Sequence, residues 1–291
     1  MPEIREYYKI EKGTGNLLEE GKEEVFTEQE IYNKELQKKF LKGKDKFDNY
    51  IKGLGSYCFL FYDLLKDIEI ASDVKMKFIF LTSYIKYNSG GMLVDTDKIT
   101  HQIPLDRIKL KDKMQLEEKA FIRAINEMES SGLLYEKDNY YYINEKIIVK
   151  GKLIKNSNDN DYTRIFSDSI KDLYKNCPSR NHHLLYYFFA MLPFVSYKYN
   201  CVCYNPNEND LYQVKPMDIK DICEVIGYDK SKWKRLWTQL RFFKIGNESV
   251  ITTIIKDHLT MLKINPKLYY AGNSKCLSEL KQCFYEFYIN D

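Results

Sequence analysis

A mostly helical α+β protein with small β-hairpins is what this sequence predicts, and three observations predict it. One phrase occurs twice: residues 142–151 (YINEKIIVKG) and 263–272 (KINPKLYYAG) share Ile-Asn-x-Lys, an aliphatic residue and a final Gly. Each copy follows apolar residues at helical spacing, then β-prone runs. Residues 218–244 read as two helices joined by a short turn containing Gly227. Helix, helix, hairpin, given twice, is the order of two tandem winged helix-turn-helix domains.

In chain order, residues 1–55 are a charged N-terminal arm, expected to be partly solvated and helical. Its basic run (Lys34, Lys38, Lys39, Lys42, Lys44, Lys46) is a minor candidate for phosphate contact. The first winged-helix domain spans residues 56–153. Phe78, Phe80, Leu81, Tyr84 and Ile85 form an apolar helix broken at residues 88–91, and residues 92–94 suit a short strand. Ile108, Leu110 and Met114 suit a second helix, and residues 117–131 a third, stopped by Gly132. Tyr140 to Ile143 and Ile147 to Val149 are β-prone runs beside the phrase. Residues 154–161 are polar and turn-prone, hence a linker. The second domain spans residues 162–273, with helices ending near Pro178 and Pro193, a strand at residues 201–204, and Asp218 as the N-cap of the next helix. Residues 250–255 and 259–264 pair as a second hairpin, longer than the first. A C-terminal helix closes the chain at 274–291.

Composition narrows the function. The 291 residues suffice for two compact domains, and a net charge of +3 requires any basic surface to be local. No apolar run reaches about 18 residues, and the N-terminus lacks the apolar core of a secretory signal, so a cytoplasmic protein without membrane contact is expected. Seven scattered Cys fit reduced thiols.

On a helical wheel Trp233, Leu236, Trp237, Leu240 and Phe243 gather on the core side. Ser231, Lys234, Arg235 and Thr238 lie opposite, flanked by Gln239 and Arg241. Arg can read guanine, Gln adenine, and Thr a thymine methyl, while Lys holds phosphates. Phe242 falls near the outward side and is expected to pack under the hairpin. In the first domain Ala120, Phe121, Ala124, Ile125 and Met128 face inward, and Lys119, Arg123, Asn126 and Ser130 outward. Glu117, Glu118 and Glu127 border that face and would repel phosphate, so this is the weaker reader, or a packing and dimerisation surface. Lys109 and Lys111, with Arg107 and Lys113, lead into it, and Lys256 sits near the tip of the second hairpin; each is a phosphate-contact candidate.

No catalytic or cofactor site is expected. There is no phosphate-binding Gly-x-x-x-x-Gly-Lys-Ser/Thr, and the adjacent His182 and His183 would diverge by about 100° on a helix, so one packs and one is exposed. Cys201 and Cys203 point to one face of a strand, but the spacing is poor for zinc, and no metal is expected.

Residues 264–273 (INPKLYYAGN) resemble the end of winged-helix replication proteins of plasmids and phages from low-GC Gram-positive bacteria, where such a stretch closes the wing. Residues 78–151, with their LTSYIKYN opening, are similar too; Trp233, Trp237 and the N-terminal arm have no counterpart. The resemblance implies a non-enzymatic, sequence-specific double-stranded DNA-binding protein that marks a replication origin and recruits host replication proteins, as a monomer or homodimer. A transcriptional regulator of mobile-element genes would use the same modules, and an interaction scaffold is a third expectation.

Overall fold

Ile4, Tyr7, Tyr8 and Ile10 are interspersed with charged residues near the N-terminus, and the computed structural model pairs this segment into a hairpin of β1 (Glu3–Ile10) and β2 (Leu17–Val25). The structure describes residues 3–25, 29, 31, 32, 35, 55–95, 102–151, 163–256 and 259–269. The turn closes where the Glu11 N–H donates to the Asn16 carbonyl, with Gly13 and Gly15 at φ 115° and 75°. Over residues 3–25 the expected helical arm is therefore corrected to a hairpin. The lysine run at 34–46, the linker at 154–161 and the C-terminal helix at 274–291 lie outside the described residues. Residues 1–50 form one unit and 51–291 another.

In the second unit one order of elements occurs twice. The first half runs through β3 (Tyr57–Leu60), α1 (Tyr62–Lys66), α2 (Ser72–Thr82), the short pair β4 (Val94–Asp95) and β5 (Ile103–Pro104), α3 (Arg107–Met114) and α4 (Glu118–Ser130). It ends in the hairpin β6 (Leu134–Lys137) and β7 (Tyr140–Ile143), then β8 (Ile148–Val149). The second half runs through β9 (Thr163–Phe166), α5 (Ser167–Asn176), α6 (His182–Ala190), bridged residues 201–203, α7 (Ile219–Val225) and α8 (Trp233–Phe242). A small extra hairpin, β10 (Lys244–Ile245) and β11 (Glu248–Ser249), precedes β12 (Ile251–Lys256) and β13 (Leu259–Ile264). The last two pair along their full length, so the second hairpin is indeed the longer.

The halves match in detail. Lys86-Tyr87-Asn88 recurs as Lys198-Tyr199-Asn200, and both Asn take left-handed backbone, φ 49° and 53°. Pro104-Leu105-Asp106 recurs as Pro216-Met217-Asp218. Pro104 pairs with Val94 and Pro216 with Cys203. Each Asp then caps the helix that follows: Asp106 accepts from the Lys109 N–H, and Asp218 forms a reciprocal capping box with Asp221. Left-handed residues also end the two capped helices, Gln115 at φ 53° after α3 and Gly227 at φ 69° after α7.

The repeated phrase is a clamp. Asn144 donates its amide to the Gly132 carbonyl (2.8 Å) and accepts from the Lys146 N–H (3.0 Å). Asn265 does the same with Ser249 (3.0 Å) and Lys267 (2.9 Å). Only a side chain that is donor and acceptor at once can tie the end of β7 or β13 to the residue that opens its hairpin.

The halves share one core. Helix α2 packs along α6, and β3 pairs antiparallel with β9 in a sheet ordered β8, β3, β9. Apolar side chains from both halves form a single cluster, with Phe80 stacked on Tyr174 at 3.9 Å. Helix α2 is buried on nearly all sides, and its Lys75 and Lys77 are satisfied by the Lys66 carbonyl (2.8 Å) and Asp73 (2.6 Å). One expectation is corrected: Phe242, expected to pack under the hairpin, is 70% exposed, and Ile108 of α3 is 80% exposed as well. Ile108 lies one residue from Arg107 on the outer side of α3. Phe242 is the last residue of α8.

Candidate nucleic-acid interface

Helix α8 places its side chains as the wheel anticipates. Leu236, Leu240 and the adjoining Phe243 are buried, Trp233 and Trp237 are half-buried, and Ser231, Lys234, Arg235, Thr238 and Arg241 are exposed. A short 3-10 turn, Lys230–Lys232, leads in, started by Asp229, whose carboxylate accepts from the Ser231 N–H (2.9 Å) and hydroxyl (2.7 Å). Lys232 (2.8 Å) and these bonds hold the Asp229 carboxyl down at about 2. Lys230 pairs with Glu224 at 2.8 Å. Beyond this first turn the cations Lys234, Arg235 and Arg241 have no carboxylate partner among the described residues.

Gln239 sits apart from the rest. It is half-buried and its side-chain carbonyl accepts from the Asn181 amide at 2.8 Å, so only its NH2 remains to meet a ligand. Thr238 bonds back to the Lys234 carbonyl at 2.9 Å. Lys234 and Lys220 lie over the Trp233 ring at 5.8 and 5.9 Å. Lys256 ends β12 opposite Leu259; its side chain lies outside the described residues.

The face of α4 is different. Lys119, Arg123, Asn126 and Ser130 are exposed as expected, and Phe121, Ala124, Ile125 and Met128 are buried, with Ala120 half-buried. Yet, apart from Lys119, the cations around it are already matched. Arg123 reaches Asp73 (3.2 Å) and Glu127 (3.7 Å), Lys109 reaches Asp106 (3.3 Å), and Lys111 (2.7 Å) and Arg107 (2.6 Å) both hold Glu118. Lys111, then Arg107, keep the Glu118 carboxyl below its usual value.

The two arginines stand on corresponding places. Arg123 meets Asp73, the second residue of α2; Arg235 meets His183, the second residue of α6, at 3.5 Å. Partial burial resists the charge on Asp73, but Lys77 and Arg123 hold its carboxyl low. Asp73 also favours the charged form of His182 and His183. His183 is depressed by partial burial and then by Arg235. His182 is packed as expected, its Nε2 within 3.1 Å of the Cys177 carbonyl and 3.3 Å of the Tyr174 carbonyl. Sequence reasoning missed Asp73; its distance in sequence from Arg123 leaves no local signal.

Cys201 and Cys203 are fully buried on one strand face. Among the described residues no three His, Cys, Asp or Glu side chains converge as for a metal ion, and no helix is long and apolar enough to cross a membrane. Comparison with protein-family models, with curated proteins and with solved structures gives no match.

Proposed function

We propose that the two matched halves are winged helix-turn-helix modules and that the protein is a sequence-specific double-stranded DNA-binding protein, a plasmid- or phage-type replication initiator that acts without catalysis of its own. The observation that carries this reading is the outward face of α8: Lys234, Arg235, Thr238 and Arg241 are exposed together, and its cations lack carboxylate partners among the described residues. A cationic helix supported by a capped partner helix suits a major groove, with Arg235 reading a base edge and Lys234 and Arg241 holding phosphates. The long β12–β13 hairpin, which carries Lys256, lies beside the duplex backbone.

The first half serves this reading differently. Cations that are already neutralised gain little from phosphate. Around them Ile108 is 80% exposed and Ile122 39% exposed. That combination favours contact with protein, either a host replication protein or a second copy of this chain. A transcriptional regulator would make the same DNA contacts, and maintenance of a plasmid carrying the gene and its flank separates the two roles.

The test is fluorescence anisotropy with the duplex flanking the protein's own gene and a scrambled duplex, across salt. Tight binding to the native flank that persists at moderate salt is the expected result. Equal affinity for both duplexes, erased by salt, would reduce the protein to a generic polyanion binder, and no binding at low salt would remove the DNA reading altogether.

A further inference from the structure

The strand at 201–203 lies antiparallel beside β13, with Cys201 bridged to Lys263 and the Val202 N–H bonded to the Leu262 carbonyl. Continuing that register sets Cys203 opposite Met261. Residues directly opposite in an antiparallel pair share a face, as do alternate residues of one strand. Cys201, Cys203, Met261 and Lys263 therefore share one face of this small sheet, while Val202, Leu262 and Ile264 face the main core. The three sulfur residues belong to a separate buried cluster, closed by Val214, Tyr199 and Ile254. The corresponding strand of the first half has Met92 and Val94 in place of the two cysteines and Tyr140 and Tyr142 across from them. The sulfur set is peculiar to the second half.

We propose that Cys201, Cys203 and Met261 bind a soft monovalent cation, with Cu(I) as the physiological class. Zinc asks for four N, S or O donors, and the described residues supply no third His, Cys, Asp or Glu here. Two thiolates and a thioether in a dry pocket suit low-coordinate Cu(I). The cation displaces the two thiol protons to solvent, no electron is transferred, and the resulting complex carries a net charge of minus one. Lys263, opposite Cys201 on the same face, balances that charge. Bound metal would fasten the strand at 201–203, which holds Pro216 ahead of α7, to the long hairpin.

The test is an anaerobic titration of the full chain with Cu(I) in competition with bathocuproine disulfonate, followed by sulfur coordination in X-ray absorption. One Cu(I) per chain should be withheld from the chelator, bound by sulfur alone. The C201A/C203A variant should lose it, and Cys276→Ala with Cys283→Ala should keep it. Met261→Leu, which preserves volume and fold, should weaken retention by about tenfold. Retention by C201A/C203A, no retention by the unaltered chain, or unchanged retention by Met261→Leu would each overturn the proposal.

Discussion

Asn265 concentrates three jobs in one buried amide: its main-chain N–H meets Val250, its NH2 meets Ser249, and its oxygen takes the Lys267 N–H. Replacing it by Ala leaves a carbonyl and an N–H unsatisfied beneath the hairpin. We expect Asn265→Ala to cost about 2 kcal/mol in urea unfolding and the less buried Asn144→Ala less; equal, negligible losses would refute the clamp. His182 is the other residue with a measurable signature. Burial holds it below its ordinary 6.5, and its Nδ1 is buried without a partner. The unfolded chain therefore takes up this proton first as pH falls. Stability should be full above about pH 6.5 and decline below it, with His183 contributing in the same direction, so the urea midpoint should be lower at about pH 5.5 than at about pH 7.5. A flat profile that His182→Gln leaves unchanged would contradict this. The repeated Ile-Asn phrase was legible as a repeat, but the clamp was not, because its carbonyl partners belong to residues before the hairpin that carry no side-chain signal.

Helices were the legible elements. The stripe of α8, the stripe of α4 and the cap at Asp218 follow from a period of 3.6 and a single carboxylate placed before an apolar run. Asp218→Ala should lower stability by about 1 kcal/mol, read from the urea midpoint, because two N–H groups of α7 lose their acceptor; no loss would mean that solvent caps the helix as well. Strands were less legible. The N-terminal hairpin hid behind its charge, and β8 pairs with the distant β3 through a register no local pattern encodes. Phe242, expected under the hairpin, and Ile108 stay exposed, since an apolar residue is buried only where tertiary packing lays something over it. The repeated Pro-x-Asp and Lys-Tyr-Asn segments were present in the sequence all along; their common left-handed and capping backbone explains why they recur.

At the scale of the molecule, the packing of α2 on α6 turns two modules into one cooperative body. Both tryptophans, Trp233 and Trp237, lie in the second half. Their fluorescence and the far-ultraviolet dichroism of the second unit should nevertheless report the same denaturant midpoint; an earlier or later tryptophan transition would show that the halves unfold separately. Arg123 and Arg235 stand in different electrical states, the first held by Asp73 and Glu127, the second beside a histidine. Asymmetric use of matched helices is the central claim. It is tested most directly by comparing Arg235→Ala with Arg123→Ala on the native-flank and scrambled duplexes. Arg235→Ala should weaken native binding by about 10- to 100-fold and flatten the preference between duplexes, while Arg123→Ala should change affinity by less than about threefold. Equal losses from the two substitutions, or a loss confined to Arg123→Ala, would contradict it.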